Sequence, residues 1–288
     1  MKQMIDGHTR LLGVMATPIR HSMSPAMHNA AFEKLGLNNV YLAFEVGNDD
    51  LEQAVNSIRV LDMIGVNVSM PNKQKIIPYL DELDISAELN QAVNTVVNND
   101  GYLKGYTTDG VGFVTDLQKK GHPIKNQSIV IAGAGGAGTP IAIQCAMAGA
   151  KEIKIFNEQG PHFKNVARNV AIINERTNSN ATGEDLNNQT AFKEALASCD
   201  IYCDATSVGM SPLQDQSLIN HASYFHSDMV VYDVVYSPRE TKLMTVAKKA
   251  GVKEVYNGLG MMIEQGAAAF KLWTGEEMPV GFIKQTLF

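Results

Sequence analysis

Between residues 128 and 138 the chain reads Ser128-Ile-Val-Ile-Ala-Gly133-Ala-Gly135-Gly136-Ala-Gly138, an apolar run followed by G-x-G-x-x-G. In such a loop Gly133 permits a tight turn, Gly135 lets the backbone approach a diphosphate, and Gly138 lets helix and strand pack closely. The first N–H groups of the helix favour an anion there. The loop residues predicted to contact a dinucleotide are Gly133, Ala134, Gly135, Gly136, Ala137 and Gly138.

Two other interpretations of this loop remain open from the residues alone. It could be a glycine-rich turn in an unrelated α/β protein, or it could bind the nucleoside of a methyl donor. The next strand ends at Asn157-Glu158, and Glu158 stands twenty residues after Gly138. An acidic residue at that distance hydrogen-bonds the ribose hydroxyls of a dinucleotide, which favours the first interpretation.

Asn157 and Glu158 are therefore predicted to contact the cofactor. A carboxylate at this strand end repels a 2′-phosphate, so the sequence predicts NAD and disfavours NADP. The nearby Lys154 and Lys164 are interpreted as solvated charges.

Outward from the loop, short apolar runs alternate with helical patterns, which predicts an α/β protein with parallel sheets. A Rossmann-type, doubly wound dinucleotide-binding domain is predicted over residues 122–257. An α/β substrate and catalytic domain is predicted over residues 1–121, completed by helices in residues 258–288. The active site is expected in the cleft between the two domains.

Local patterns add detail to the first domain. Asn99-Asp100-Gly101 separates two strand-like runs, 94–98 and 102–106, and predicts a hairpin. Residues 72–80 are predicted to be helical. Ser24 is predicted to cap a helix that continues from Pro25.

The composition narrows the class of protein. The 288 residues carry a net charge of −6, and the pI is about 5.6, so neither a nucleic acid nor a membrane surface is expected as a partner. Three cysteines without paired spacing predict buried thiols and a cytoplasmic location. The pattern contains no clustered His or Cys, and no metal is expected.

The first half of the chain is rich in polar residues at predicted strand ends. Ser22, Ser24, Lys73, Asn94 and Asp109 each have an ordinary structural explanation as a cap, a turn residue or a surface charge. Together they predict a polar pocket without metal. A lysine beside an aspartate, screened from water, can hold or pass a proton while an alcohol is oxidised, so Lys73 and Asp109 are the candidate acid–base groups.

The chain resembles the shikimate dehydrogenases, and most closely their quinate/shikimate branch, which is NAD-linked. The resemblance extends nearly from end to end. It rests on Gly133 to Gly138 and on Pro18-Ile-Arg-His21-Ser22-Met-Ser24-Pro25, Gly65-Val-Asn67-Val-Ser69-Met-Pro71-Asn-Lys73, Thr108-Asp109-Gly110, Ala205-Thr206-Ser207-Val208-Gly209-Met210, Tyr236-Ser-Pro238, Asn257-Gly258-Leu-Gly260-Met261 and Gln265.

The resemblance implies a role for each matching residue. Lys73 and Asp109 would form the catalytic pair at the hydroxyl that is oxidised. The residues that would bind the substrate carboxylate or the ring hydroxyls are Ser22, Ser24, Ser69, Asn94, Tyr236 and Gln265. The residues that would lie along the cofactor, in addition to the loop and Asn157-Glu158, are Thr206, Val235 and Gly258.

The implied reaction is hydride transfer between NAD and the C3 hydroxyl of shikimate, quinate or both, in the aromatic amino-acid or quinate pathway. The implied partner is thus a small cyclic polyol carboxylate, and a homodimer is left open. Asp204 departs from the pattern, since asparagine usually precedes Ala-Thr-Ser. Two alternatives stay open, namely a dehydrogenase of a related hydroxyl acid and a non-enzymatic sensor that binds NAD or a metabolite.

Overall fold

The computed structural model describes residues 5–288, which form two compact units. One unit contains the chain up to Thr108 together with Ile263–Phe288, and the other is Asp109–Met262. The division falls at Thr108, earlier than the predicted boundary at residue 121. Packing explains the difference, because a Cβ on Gly110 would collide with the backbone of Pro140 within the second unit.

The first unit is built on a mixed sheet of six strands. Its strands are β1 (Arg10–Ala16), β2 (Asn39–Glu45), β3 (Gly65–Val68), β4 (Glu82–Leu83), β5 (Thr95–Asn99) and β6 (Tyr102–Tyr106). Its helices in this part of the chain are α1 (Ser24–Leu35), α2 (Leu51–Val60) and α3 (Ile85–Asn90). The sheet order is β2-β1-β3-β5-β6-β4. β5 and β6 are antiparallel, as the predicted hairpin requires.

The second unit is a parallel sheet with helical connections. Its helices are α4 (Asp109–Lys119), α5 (Gly138–Met147), α6 (Phe163–Arg176), α7 (Gln189–Leu196) and α8 (Lys242–Lys249). Its strands are β7 (Ser128–Ala132), β8 (Glu152–Asn157), β9 (Asn180–Asp185), β10 (Ile201–Asp204), β11 (Val230–Asp233) and β12 (Glu254–Asn257). The order β9-β8-β7-β10-β11-β12 reverses direction between β7 and β10, which is the ligand-binding switch point of a doubly wound sheet. The predicted Rossmann-type fold is confirmed.

The chain ends in two helices, α9 (Leu259–Thr274) and α10 (Val280–Leu287). α9 begins in the second unit and ends in the first. Within the first unit, the indole of Trp273 donates a hydrogen bond of 2.9 Å to the carbonyl of Val96 in β5. Its ring packs against Gly65 so closely that a Cβ on that glycine would collide with it. The C-terminal helix thus helps to complete the first unit's core.

Two local predictions are wrong. Residues 72–80 form turns with only a short 3-10 segment, Ile77–Tyr79, because Pro78 lacks the N–H that a longer helix would use. Helix α1 starts at Ser24 itself, with Met23 at the N-cap position and no side-chain cap. The Ser24 hydroxyl is therefore not used as a cap.

The three cysteines are buried and free, as predicted. Among residues 5–288, no helix is both long and apolar enough to cross a membrane.

His28 is fully buried in an aromatic cluster of the first unit. Its ring stacks on Tyr41 at 4.5 Å between centroids, and Phe270 and Trp273 also contact it. Neither ring nitrogen has a hydrogen-bond partner within the described part of the chain. Burial lowers the pKa of His28 to about 3. The imidazole is therefore neutral at physiological pH and acts as a flat packing group.

Replacing His28 by phenylalanine is expected to flatten the acid side of the stability profile. The folded pKa lies below the unfolded value of about 6.5, so the stability that depends on a neutral His28 is complete above that value and is lost as the pH falls towards about 3. Between about pH 7 and about pH 5 the native protein should lose about 2 kcal/mol that the variant retains. Urea unfolding at several pH values measures this.

The exposed His221 provides the control variant, His221→Gln, which removes an imidazole without touching the buried aromatic cluster. If the larger phenylalanine ring packs less well, the free energy of unfolding will fall by the same amount at every pH, and its slope against pH will not change. Equal slopes for wild type and His28→Phe would therefore contradict the prediction.

Candidate active site

Asn94, the residue immediately before β5, lies at the centre of a buried polar network. Its amide nitrogen is 2.9 Å from Thr108 Oγ1 and 3.4 Å from Gln265 Oε1. Its amide oxygen accepts the N–H of Thr108 at 2.8 Å. The structure thus brings together Asn94 and Gln265, two of the predicted substrate-binding residues, although they stand far apart in the sequence.

The network continues into the sheet through Asn67. Its Oδ1 accepts the Tyr41 hydroxyl at 2.7 Å, and its Nδ2 donates to Thr95 Oγ1 at 3.0 Å and to the carbonyl of Asn94 at 3.1 Å. Burial raises the pKa of Tyr41 well above its usual value, although a hydrogen bond with Ser24 opposes this rise. Tyr41 therefore stays neutral and connects Ser24 to Asn67.

The two predicted carboxylate-binding serines are adjacent, since Ser22 Oγ accepts the N–H of Ser24 at 3.2 Å. Both are half-buried. Ser69 follows β3, and its N–H donates to the carbonyl of Met15 at 3.0 Å in the neighbouring β1. Parallel strands end at one edge of a sheet, so β1 and β3 present these hydroxyls on the same side.

Lys73 is half-buried in the turn after β3. Its carbonyl accepts the N–H of Val93 at 2.8 Å, so it lies next to the residue that precedes Asn94. The first unit therefore combines hydroxyls, two amides and one ammonium group. Such groups can supply hydrogen-bond donors and acceptors for a ligand that carries hydroxyl and carboxylate groups.

In the second unit the glycine loop has the geometry of a phosphate cradle. A Cβ on Gly135 or Gly136 would meet nothing within 4 Å, so there is open space beside the backbone of these two glycines. A Cβ on Gly138 would collide with the carbonyl of Gly133, because α5 and β7 pack directly on each other. Gly133 has a φ of 103°, which favours glycine. These residues fit a dinucleotide at the N-terminus of α5.

Asn157 supports this loop from the end of β8. Its Oδ1 accepts the N–H of Ala134 at 2.8 Å, while Asn165 Nδ2 donates to the carbonyl of Ala134 at 2.9 Å. The side chain predicted to contact the cofactor thus also fixes the shape of the glycine loop. Glu158 is exposed.

The other predicted cofactor residues follow neighbouring strands of the same sheet. Thr206 follows β10, and Val235 follows β11. Val235 accepts the N–H of Gly258 at 3.1 Å, which brings these two residues together. A Cβ on Gly258 would collide with the backbone of Val234, so only glycine fits there.

Asp109 and Tyr236 complete the predicted set. Asp109 is half-buried and is the first residue of α4, immediately after Thr108 of the polar network. Tyr236 follows β11 and is 45% exposed, which leaves its hydroxyl accessible to a ligand. Both belong to the second unit.

Sequence reasoning assigned no role to four members of the polar network, namely Tyr41, Asn67, Thr95 and Thr108, although Asn67 and Thr108 stand within the motifs quoted above. One signal was available for Asn67. It interrupts the apolar run Gly65–Val68 of a fully buried strand, where a polar side chain must find partners. Tyr41 gave no comparable signal, because tyrosine is common in strands.

A six-stranded Rossmann sheet with an open glycine cradle, joined to a unit with a polyol-compatible polar network, defines a dinucleotide-linked oxidoreductase. Two family models match the chain, "Shikimate dehydrogenase substrate binding domain" over residues 14–96 and "Shikimate 5'-dehydrogenase C-terminal domain" over residues 258–288. A relative from Streptococcus uberis, named shikimate dehydrogenase (NADP(+)), is 57% identical over 290 residues, which span 100% of this chain and 98% of the relative. The chain belongs to the shikimate dehydrogenase family.

Solved structures agree with this assignment. Shikimate 5-dehydrogenase from Listeria monocytogenes, in complex with shikimate and NAD, is 47% identical with a TM-score of 0.97, covering 100% of this chain and 99% of that one. Quinate dehydrogenase from Corynebacterium glutamicum, in complex with NAD, is 29% identical with a TM-score of 0.86, covering 96% and 98%.

The predicted preference for NAD is wrong. The Streptococcus uberis relative and a 52% identical relative from Streptococcus pyogenes are both named as NADP(+) enzymes, and they match this chain along its whole length. The prediction rested on repulsion between Glu158 and a 2′-phosphate. Because the Glu158 side chain is exposed, water and salt screen that repulsion, and the carboxylate can turn away.

Proposed function

We propose that this chain catalyses the reversible oxidation of the C3 hydroxyl of shikimate to the ketone 3-dehydroshikimate, with NADP as the cofactor. The network centred on Asn94 is the observation that carries the proposal. It groups amide and hydroxyl side chains from the residue before β5, from α9 and from the segment before α4 in one largely buried place.

Substrate recognition would be divided between two groups of side chains. Ser22 and Ser24 supply hydroxyl donors for the carboxylate. Ser69, Asn94 and Gln265 supply partners for the ring hydroxyls, with Tyr236 assisting. Such a site rejects analogues that lack a hydroxyl, because a buried amide left without its partner is costly.

The cofactor would accept the hydride from C3. The backbone of Gly135 and Gly136 would hold the diphosphate of the cofactor. Thr206, Val235 and Gly258 would lie along the rest of the molecule. The structure supports this proposal with an open loop at the helix start and with a strand order that reverses beside it.

Proton transfer would fall to Lys73 and Asp109. Oxidation of an alcohol releases the hydroxyl proton while the hydride leaves C3, so a group must take that proton at the oxygen. Lys73 would contact the C3 oxygen, where its neutral amine would take the proton during oxidation and its ammonium would return it during reduction, while Asp109 would orient the ammonium and stabilise its charge. A cytoplasmic location and a homodimer remain predictions.

Steady-state kinetics with shikimate and quinate, each with NADP and NAD, test the proposal. Shikimate with NADP should give reduced cofactor with a kcat/KM about tenfold or more above that with NAD, a gap of about 1.4 kcal/mol. The predicted quinate activity is measured in the same panel. Silence with every combination would exclude catalysis and leave the sensor alternative, whereas turnover of another hydroxyl acid alone would replace shikimate as the substrate.

A further inference from the structure

Two buried carboxylates lie side by side at the ends of neighbouring strands in the second unit. Asp204 ends β10 and Asp233 ends β11, and they are register partners in the parallel pair. Each is only 1% exposed. None of the roles described above involves them. Burying two neighbouring carboxylates costs free energy unless hydrogen bonds compensate for the lost hydration.

Asp204 holds the segment that follows its strand. Its Oδ1 accepts the N–H of Thr206 at 3.0 Å and the hydroxyl of Thr206 at 2.7 Å. Thr206 Oγ1 in turn accepts the N–H of Val208 at 3.2 Å. The shape of the Thr206 segment therefore depends on one carboxylate oxygen.

This segment also contacts the glycine loop. A Cβ placed on Gly133 would lie 2.9 Å from the carbonyl oxygen of Ala205 and 3.3 Å from the methyl group of Thr206. Movement of Thr206 would therefore change the packing around Gly133, the first glycine of the phosphate cradle. Asp204 is thus connected to both predicted cofactor-binding segments.

Asp233 does the same for the next strand. Its Oδ1 accepts the N–H of Val235 at 3.0 Å, and its Oδ2 accepts the Thr241 hydroxyl at 2.6 Å. Two neighbouring loops of the predicted cofactor site are therefore shaped by adjacent carboxylates rather than by backbone pairing alone.

We propose that Asp204 is a positioning residue for the cofactor, which acts through Thr206, and that the charge state of its carboxylate changes cofactor affinity. The proposal rests on the proposed function, because it takes Thr206 as a cofactor contact. An ionised carboxylate accepts both bonds from Thr206 with charge-assisted strength. A protonated carboxyl group accepts these hydrogen bonds more weakly, and its own O–H also needs an acceptor.

The surroundings of Asp204 support a titration near neutral pH. Burial, together with the charge of Asp233, raises the pKa of Asp204 to about 7. Burial also raises the pKa of Asp233. The titratable groups that face Asp204 are Asp233 on β11 and, on its own strand, Tyr202 and Cys203, whose pKa values burial raises as well. The hydroxyl of Tyr202 donates to Asp204 Oδ2 at 3.3 Å.

Asp204→Asn is a matched test, because the amide oxygen can accept both bonds from Thr206 at every pH. Asparagine is also the residue that usually precedes Ala-Thr-Ser in the family that the sequence resembles. NADPH binding to the whole protein, followed by its fluorescence between about pH 6 and about pH 8.5, gives the affinity without turnover. In the wild type the Kd should rise about five- to tenfold towards the acid end. Asp204→Asn should lose that change.

Asp233→Asn gives a second measurement. Removal of the neighbouring charge should shift the inflection of the wild-type profile to lower pH. Titration of the cofactor's own phosphate occurs equally with all three proteins, so only the difference between profiles reports on Asp204.

Identical pH profiles of Kd in wild type and Asp204→Asn would overturn the proposal while leaving the proposed function intact. Absence of NADPH binding at every pH would overturn both. A third outcome is possible, in which the wild type binds NADPH with the expected pH dependence, Asp204→Asn loses that dependence, and neither protein turns over shikimate. This outcome would contradict only the proposed reaction and would support the role of Asp204.

Discussion

Lys73→Ala is expected to lower kcat with shikimate by about 10²–10⁴-fold, which is the usual contribution of a positioned acid–base group. In the proposed reaction, the alanine would leave no group at the C3 oxygen to take or return the proton. The backbone of Lys73 pairs with Val93 through its carbonyl, and alanine keeps that bond. The fold should therefore survive, and direct NADPH binding should change less than about twofold.

Lys75→Ala is the matched control, because Lys75 is exposed in the same turn and has the same charge. It should retain kcat within about twofold. If Lys73→Ala lost NADPH affinity as strongly as it lost turnover, the assigned role at the substrate oxygen would be contradicted. Equal losses in both lysine variants would point to the charge of the turn rather than to a positioned group.

The centre of the Rossmann sheet could be predicted from sequence, but its two edges could not. Strands β7, β10 and β11 were found because each contains a buried apolar run, and β8 because Ile153, Ile155 and Phe156 are apolar and buried within it. The missed strands, β9 (Asn180–Asp185) and β12 (Glu254–Asn257), are the two ends of the sheet. β9 buries little besides Ala181, so its sequence carries no apolar run to recognise.

A similar limit applied to the candidate site. Motifs predicted Asn94 and Gln265, yet their meeting depends on how β5 and α9 pack, which no local pattern contains. The failed cofactor prediction has the opposite cause. Glu158 was identified correctly as standing where β8 ends, directly after Asn157, but its effect depends on its exposure, and exposure is a property of the fold.

Gly138→Ala is expected to destabilise the protein by about 3 kcal/mol, at the upper end of the cost of overpacking. The new methyl group would collide with the carbonyl of Gly133, and it would lie 3.3 Å from the Cβ of Ala205. Backbone atoms of a central strand and its helix cannot give way as a flexible side chain can. Urea unfolding of the purified variant measures the loss.

Gly135→Ala is expected to weaken cofactor binding while leaving stability almost unchanged. Comparison with Gly138→Ala therefore separates the ligand-binding role of the glycine loop from its packing role. A methyl group on Gly135 meets nothing within 4 Å, so the free energy of unfolding should change by less than about 0.5 kcal/mol. It would stand where the diphosphate approaches the backbone, so the Kd for NADPH should rise about tenfold or more. If Gly135→Ala bound NADPH normally, the cradle would not be at this glycine. If Gly138→Ala kept full stability, helix α5 could move away from β7, and the close packing inferred from the motif would not be obligatory.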